Sequence, residues 1–121
     1  MQFAQKNFYK KLLGRIGENA AVKELKKQGY KILERNYKTR TGEIDVIASD
    51  NGVIAFIEVK TRTSDACGVP AEAITAEKRR KYGLTATAYL VKNKLTEAEC
   101  RFDAVEVENG QINIIKDAFT L

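Results

Sequence analysis

Apolar residues recur at helical spacing over residues 5–28. Phe8, Leu12, Leu13, Ile16, Ala20, Ala21, Val22 and Leu25 stand three or four positions apart. Lys26 and Lys27 precede Gly29, a C-terminal helix signal. From Tyr30 to Tyr37 the period drops to two. Tyr30, Ile32 and Glu34 fall on one side of a strand, and Leu33, Arg35 and Tyr37 on the other. Residues 39–42 read as a turn. Residues 43–48 and 53–61 are rich in β-branched and aromatic residues, and Ser49-Asp50-Asn51-Gly52 lies between them. An Asn-Gly pair between apolar runs is a strong hairpin signal. Residues 64–74 hold Gly68 and the only proline, Pro70, and read as a loop. Thr75 can cap a second helix reaching about Asn93, with Leu84, Ala88 and Val91 expected as its inner stripe. A second hairpin, residues 101–108 and 111–116, surrounds Asn109-Gly110. The element order is α-β-β-β-α-β-β. With no linker, repeat or low-complexity tract, residues 1–121 are expected to form a single α/β domain with a mixed sheet.

Composition narrows the chemistry. The chain has no histidine, which removes a Ser-His-Asp triad, a Cys-His dyad and a HExxH zinc site. Two cysteines, Cys67 and Cys100, are too few for a disulfide scaffold or a four-cysteine zinc site, and are expected as reduced thiols in a cytoplasmic protein. No apolar run is long enough to span a membrane, and the N-terminal region lacks a signal-peptide core. The net charge of +5 is unevenly spread. Residues 1–40 carry +8 and residues 63–94 carry +3, whereas residues 41–62 carry −2 and residues 95–121 carry −4. Basic segments around a local acidic spot suit a polyanion with a cation bound at the spot; taken alone, they also suit ordinary helix solubility.

The acidic spot has site-like geometry. Alternation puts Glu43, Asp45 and Ile47 on one face of the first hairpin strand, and Ile54, Phe56, Glu58 and Lys60 on one face of the second. A two-residue Asn51-Gly52 turn sets Asp45 opposite Glu58; a four-residue turn sets them diagonally. Opposed Cβ atoms lie about 4.5–5.5 Å apart and diagonal ones about 7–8 Å. Two close carboxylates among apolar residues must share a proton or hold a cation, and Mg²⁺ is often held by one or two carboxylates. Lys60 could offset charge on a phosphate or act on a water. The alternative is an edge hairpin with solvated acids and a salt-bridging lysine. Glu18 has Ala21, Val22 and Leu25 at i+3, i+4 and i+7, so it lies on an apolar helix face, with Gly14 and Gly17 nearby. It too has a plain alternative, an acid at the rim of that face.

The segments "GRIGENAAVKEL", "GEIDVIA", "FIEVKTR" and "RFDAVEV", in this order, resemble the YraN-like family of small bacterial proteins. That family in turn resembles archaeal Holliday junction resolvases and the PD-(D/E)xK, restriction-endonuclease-like nucleases. The resemblance spans about Gly14 to Val107, and Ile44 stands where many of those nucleases have proline before the first acid. It implies a three-layer core, a mixed central sheet flanked by helices. It matches Asp45 and Glu58 to the metal-binding acids and Lys60 to the motif lysine, with Glu18 and the Val59 carbonyl as further ligands of Mg²⁺ or Mn²⁺. The implied activity is metal-dependent endonucleolytic hydrolysis of DNA, branched or junction DNA in repair or recombination included. A catalytically inactive nucleic-acid-binding module of the same fold is the alternative. Backbone contacts are expected from Lys10, Lys11, Arg15, Arg62, Lys78, Arg79, Arg80 and Lys81. Resolvases act as dimers, which makes a homodimer the expectation by analogy.

Overall fold

A computed structural model describes residues 2–62 and 75–120, with side chains described from residue 11 onward. The elements are α1 (Gln2–Lys27), β1 (Lys31–Thr39), β2 (Gly42–Asp50), β3 (Val53–Arg62), α2 (Ala76–Lys92), β4 (Cys100–Glu108) and β5 (Gln111–Phe119). The five strands form one sheet in the order β1-β2-β3-β4-β5. Only β3 and β4 run parallel, joined by the crossover that contains α2; the other neighbours are antiparallel. The mixed α/β architecture and element order match the expectation. The 64–74 loop and Cys67 lie outside the described residues. No helix among those described is long and apolar enough to cross a membrane.

Both Asn-Gly pairs make the tight turns their residues favour. Asn51 and Gly52 have φ of 51° and 86°, and Asn109 and Gly110 have 49° and 80°. Positive φ at both central positions defines the type I′ turn, whose twist suits the flanking strands. The first turn pairs Asp50 with Val53, which selects the two-residue register.

Each sheet face carries one helix. On one, Ala21, Val22 and Leu25 of α1 pack on Val46, Ala55, Ile57 and Val105. On the other, α2 packs on Ile44, Ile47, Phe56, Phe102 and Phe119. The inner stripe of α2 is Tyr82, Thr85, Ala86 and Tyr89, not the expected Leu84, Ala88 and Val91. Leu84 and Val91 are 44% and 60% exposed. The aromatic rings win because they bury more surface and mesh edge-on. Tyr82 sits 5.6 Å from Phe119, and Tyr89 sits 5.3 Å from Tyr37, ring centre to ring centre. The α1 stripe is also shorter than expected. Leu12 and Ile16 are exposed, and burial becomes continuous only from Ala21.

The end of the sheet at the β2–β3 turn is tied by a buried polar network. Asp103 is fully buried. It accepts hydrogen bonds from Tyr30 Oη, Arg101 Nε and the Asp117 amide at 2.9–3.1 Å. Arg101 Nη2 also reaches Asp50 Oδ2 at 2.6 Å, and Lys116 Nζ reaches the same oxygen at 2.9 Å. Arg101 and Lys116 hold the Asp50 carboxyl below its usual range. Burial and the adjacent Asp103 push the Tyr30 phenol up to about 12. The Arg-x-Asp of "RFDAVEV" therefore clasps β1, β2, β4 and β5 together.

Candidate functional site

Strands β2 and β3 stay in register from the turn to Val46↔Ile57. One more step would set Asp45 opposite Glu58, and the next would pair Ile44 with Val59. The ladder gives way there. Val59 donates its backbone N–H to Asp45 Oδ2 at 2.8 Å. Alternation along β2 breaks at the same point. Val46 and Ala48 face α1, whereas Ile44 and Ile47 both face α2 despite their odd spacing. Asp45 thus sits in the parting between two strands, where helices from both faces converge.

The break is matched on β1. The pairing shifts between Ile32 and Glu34, and Asn36 takes φ of 54°. Leu33 and Tyr37 therefore face α2, while Arg35 reaches Glu18 of α1. This corrects the expected shared side for Leu33, Arg35 and Tyr37, because unbroken alternation does not survive a bulge.

Three other carboxylates act on Asp45 here. Burial pushes the Asp45 carboxyl up to about 6, and Glu18, Glu58 and Glu43 push the same way, against the Val59 hydrogen bond. Glu58 Oε1 accepts from Lys78 Nζ at 2.7 Å. Glu58 Oε2 is buried and has no hydrogen-bond partner among the described residues. Glu18 Oε1 accepts from Arg35 Nη2 and Asn36 Nδ2, both at 3.0 Å. Glu18 is therefore near enough to act electrostatically on Asp45, yet its carboxylate is held by β1. Among the described residues, no three His, Cys, Asp or Glu side chains form a ready metal cluster. The donors that fit a hard cation are two carboxylates, Asp45 and Glu58, with the main chain at Val59, the residue after Glu58. Mg²⁺ needs only one or two carboxylates and keeps several waters, and the orphaned Glu58 oxygen is the kind of group such a cation satisfies.

The close approach of α1 has a sequence cause. A β-carbon at Gly17 would overlap the Thr61 hydroxyl and stand 3.1 Å from Thr61 Cβ. Glycine lets the helix backbone settle on β3, and that places Glu18 beside the parting.

The basic residues divide into two groups. Lys11 and Arg15 are exposed on α1, at i−7 and i−3 from Glu18, and so share its helix face. Arg79 and Arg80 are exposed in the first turns of α2. Lys78 is engaged by Glu58, Arg62 pairs with Glu106 at 3.2 Å, and Lys81 lies 3.7 Å from Glu77. The Lys10 side chain lies outside those described. Lys60 is partly buried on β3, level with Glu106 of β4.

The sequence reading expects Lys78 on nucleic-acid phosphates rather than on Glu58, and it does not single out Tyr82. Lys78 belongs to a charge run whose members look alike until α2 is docked. Tyr82 is buried and its hydroxyl has no partner among the described residues, and only its i, i+7 spacing from Tyr89 hints at an inward face.

The profile described as "Uncharacterised protein family UPF0102" matches residues 17–107. A UPF0102 protein of Lachnoclostridium phytofermentans is 48% identical over 111 residues, which cover 91% of this chain and 94% of that protein. One from Persephonella marina is 45% identical, covering 89% of this chain and 93% of its own length. One from Clostridium tetani is 41% identical over 121 residues, covering 95% and 99%.

Proposed function

The chain belongs to the UPF0102, or YraN-like, family, and from that premise we propose that it is a Mg²⁺- or Mn²⁺-dependent endonuclease acting on DNA, with branched or junction DNA as the substrate class. The observation that carries this reading is the pair Asp45 and Glu58 at the β2–β3 parting, where Glu58 Oε2 is buried without a partner among the described residues. Asp45, Glu58 and the Val59 carbonyl would hold the cation. Its chemistry is to activate a water and offset charge on the phosphate. Glu18 adds negative potential and keeps its own carboxylate on Arg35 and Asn36. Lys60 supplies positive charge next to Glu58. The exposed Lys11, Arg15, Arg79 and Arg80 would grip phosphates without reading bases, so binding should weaken steeply with salt. The test is cleavage of linear, flapped and four-way DNA with Mg²⁺ or Mn²⁺, run beside Asp45→Asn. Metal-dependent cleavage lost in Asp45→Asn supports the proposal; equal cleavage by both overturns the site.

A second reading has its own support. Lys78 already supplies a cation to Glu58, and Glu18 is engaged by β1, so the acids can rest without a metal. On that reading the protein is a nucleic-acid-binding module of the same fold. Salt-sensitive DNA binding with no Mn²⁺ heat signal would favour it.

A further inference from the structure

Tyr82 lies one helical turn after Lys78 on α2, and side chains at i and i+4 share a face. Lys78 reaches down to Glu58 Oε1 at 2.7 Å. Helical side chains lean toward the N-terminus, so Tyr82 leans toward the turn that carries Lys78. Its ring packs against the adjoining rings of Phe102 and Phe119, at 5.7 and 5.6 Å between ring centres. Only 7% of the residue is exposed. Two polar atoms then stand out. Tyr82 Oη and Glu58 Oε2 are the buried side-chain oxygens without a hydrogen-bond partner among the described residues. They sit on the two elements that the Lys78–Glu58 bond joins, and they do not bond each other. A buried hydroxyl without a partner costs about 1–3 kcal/mol, and phenylalanine would fill the same space without that cost.

Resting on the metal-site reading above, we propose that Tyr82 is a positioning residue of that site, whose hydroxyl hydrogen-bonds to the hydrated divalent cation held by Asp45 and Glu58. Cations of this type retain water ligands, and outer hydrogen bonds orient them. A donor is what the place requires, because carboxylates already supply the acceptors. Burial, reinforced by Asp45, Glu58 and Glu43, holds the phenol protonated far above neutrality, so it stays a donor across the working range.

The experiment compares wild type with Tyr82→Phe by Mn²⁺ calorimetry and by urea unfolding without metal. The expected result is roughly tenfold weaker Mn²⁺ binding in the variant, within the range for loss of an outer-shell partner, with a urea midpoint equal to or above wild type. Equal Mn²⁺ binding by both proteins overturns the Tyr82 role alone. A lower metal-free urea midpoint in Tyr82→Phe also overturns it, because the hydroxyl would then be serving the fold. Failure of wild type itself to bind Mn²⁺ overturns the metal-site reading and the Tyr82 role together.

Discussion

The backbone N–H of Val59 is bonded to the side chain of Asp45 at 2.8 Å. In a continued antiparallel ladder that N–H would face the main chain of Ile44. One carboxylate has replaced one rung. The substitution keeps a buried donor satisfied and opens the parting in which Glu58 is exposed to Asp45.

That arrangement has a stability cost. The Asp45 carboxyl is raised from 3.8 to about 6 in the folded protein. The folded state therefore binds more protons than the unfolded state between those values. Stability from this group falls as pH rises through the window and stays reduced above it, by about 3 kcal/mol at most. Asp45→Asn keeps an acceptor for the Val59 amide and removes the charge. Metal-free Asp45→Asn should be more stable than wild type at pH 7.5 by about 1–3 kcal/mol, and the gap should shrink toward pH 4. Urea unfolding across that range measures it; a less stable variant at pH 7.5 would contradict the cause assigned to the shift.

The same proton competes with a cation. Mn²⁺ binding should weaken about tenfold per pH unit once pH drops below about 6, where Asp45 takes up its proton. Calorimetry at pH 5, 6 and 7.5 reads it directly, and a flat profile would remove Asp45 from the ligand set.

Lys78 is an internal rival for Glu58. Its side chain is 45% exposed, so the pair contributes about 0–1 kcal/mol. Lys78→Met should tighten Mn²⁺ binding by up to about fivefold, the equivalent of that energy. Weaker binding in Lys78→Met would show that the lysine assists the cation instead.

Gly17 sets the seating of α1. Gly17→Ala forces the helix off Thr61 and should destabilise the protein by about 1–3 kcal/mol, the usual cost of overpacking. Adding Thr61→Ala removes the clashing hydroxyl and methyl and should recover part of the loss in urea unfolding. No recovery would place the strain elsewhere.

Arg101 is the cation of the polar clasp. Its bonds to Asp103 and Asp50 outweigh burial and raise its own proton affinity. Arg101→Met leaves Asp103 buried and charged without its guanidinium, which should cost about 3–5 kcal/mol. Asp45 is five residues from Asp50 along β2, about 16 Å by strand rise. Mn²⁺ affinity of the folded variant should therefore match wild type. A stability loss under 1 kcal/mol would show that the clasp contributes little.

Much of this was legible in the chain. The two Asn-Gly turns and the period-two runs determined two hairpins, because few backbone conformations suit an Asn-Gly pair between strands. Either turn length then brought Asp45 and Glu58 near each other on neighbouring strands. The 3.6-residue periods determined two helices, and the order of elements determined an α/β domain. What the periods could not decide was which stripe of α2 faces the sheet. Leu84 and Val91 score as apolar as any core residue, but Tyr82 and Tyr89 meet rings on four different elements. Nor could alternation foresee its own failure at Asp45, where a side chain takes a backbone N–H from the ladder, or at Asn36, which adopts a positive φ and bonds Glu18. Tertiary structure alone decided that Glu18 is held by Arg35, that Lys78 leaves its charge run to sit on Glu58, and that the buried Tyr82 hydroxyl has no partner among the described residues. Local pattern records which residues prefer to be buried; which polar atoms meet once they are buried depends on how the layers dock.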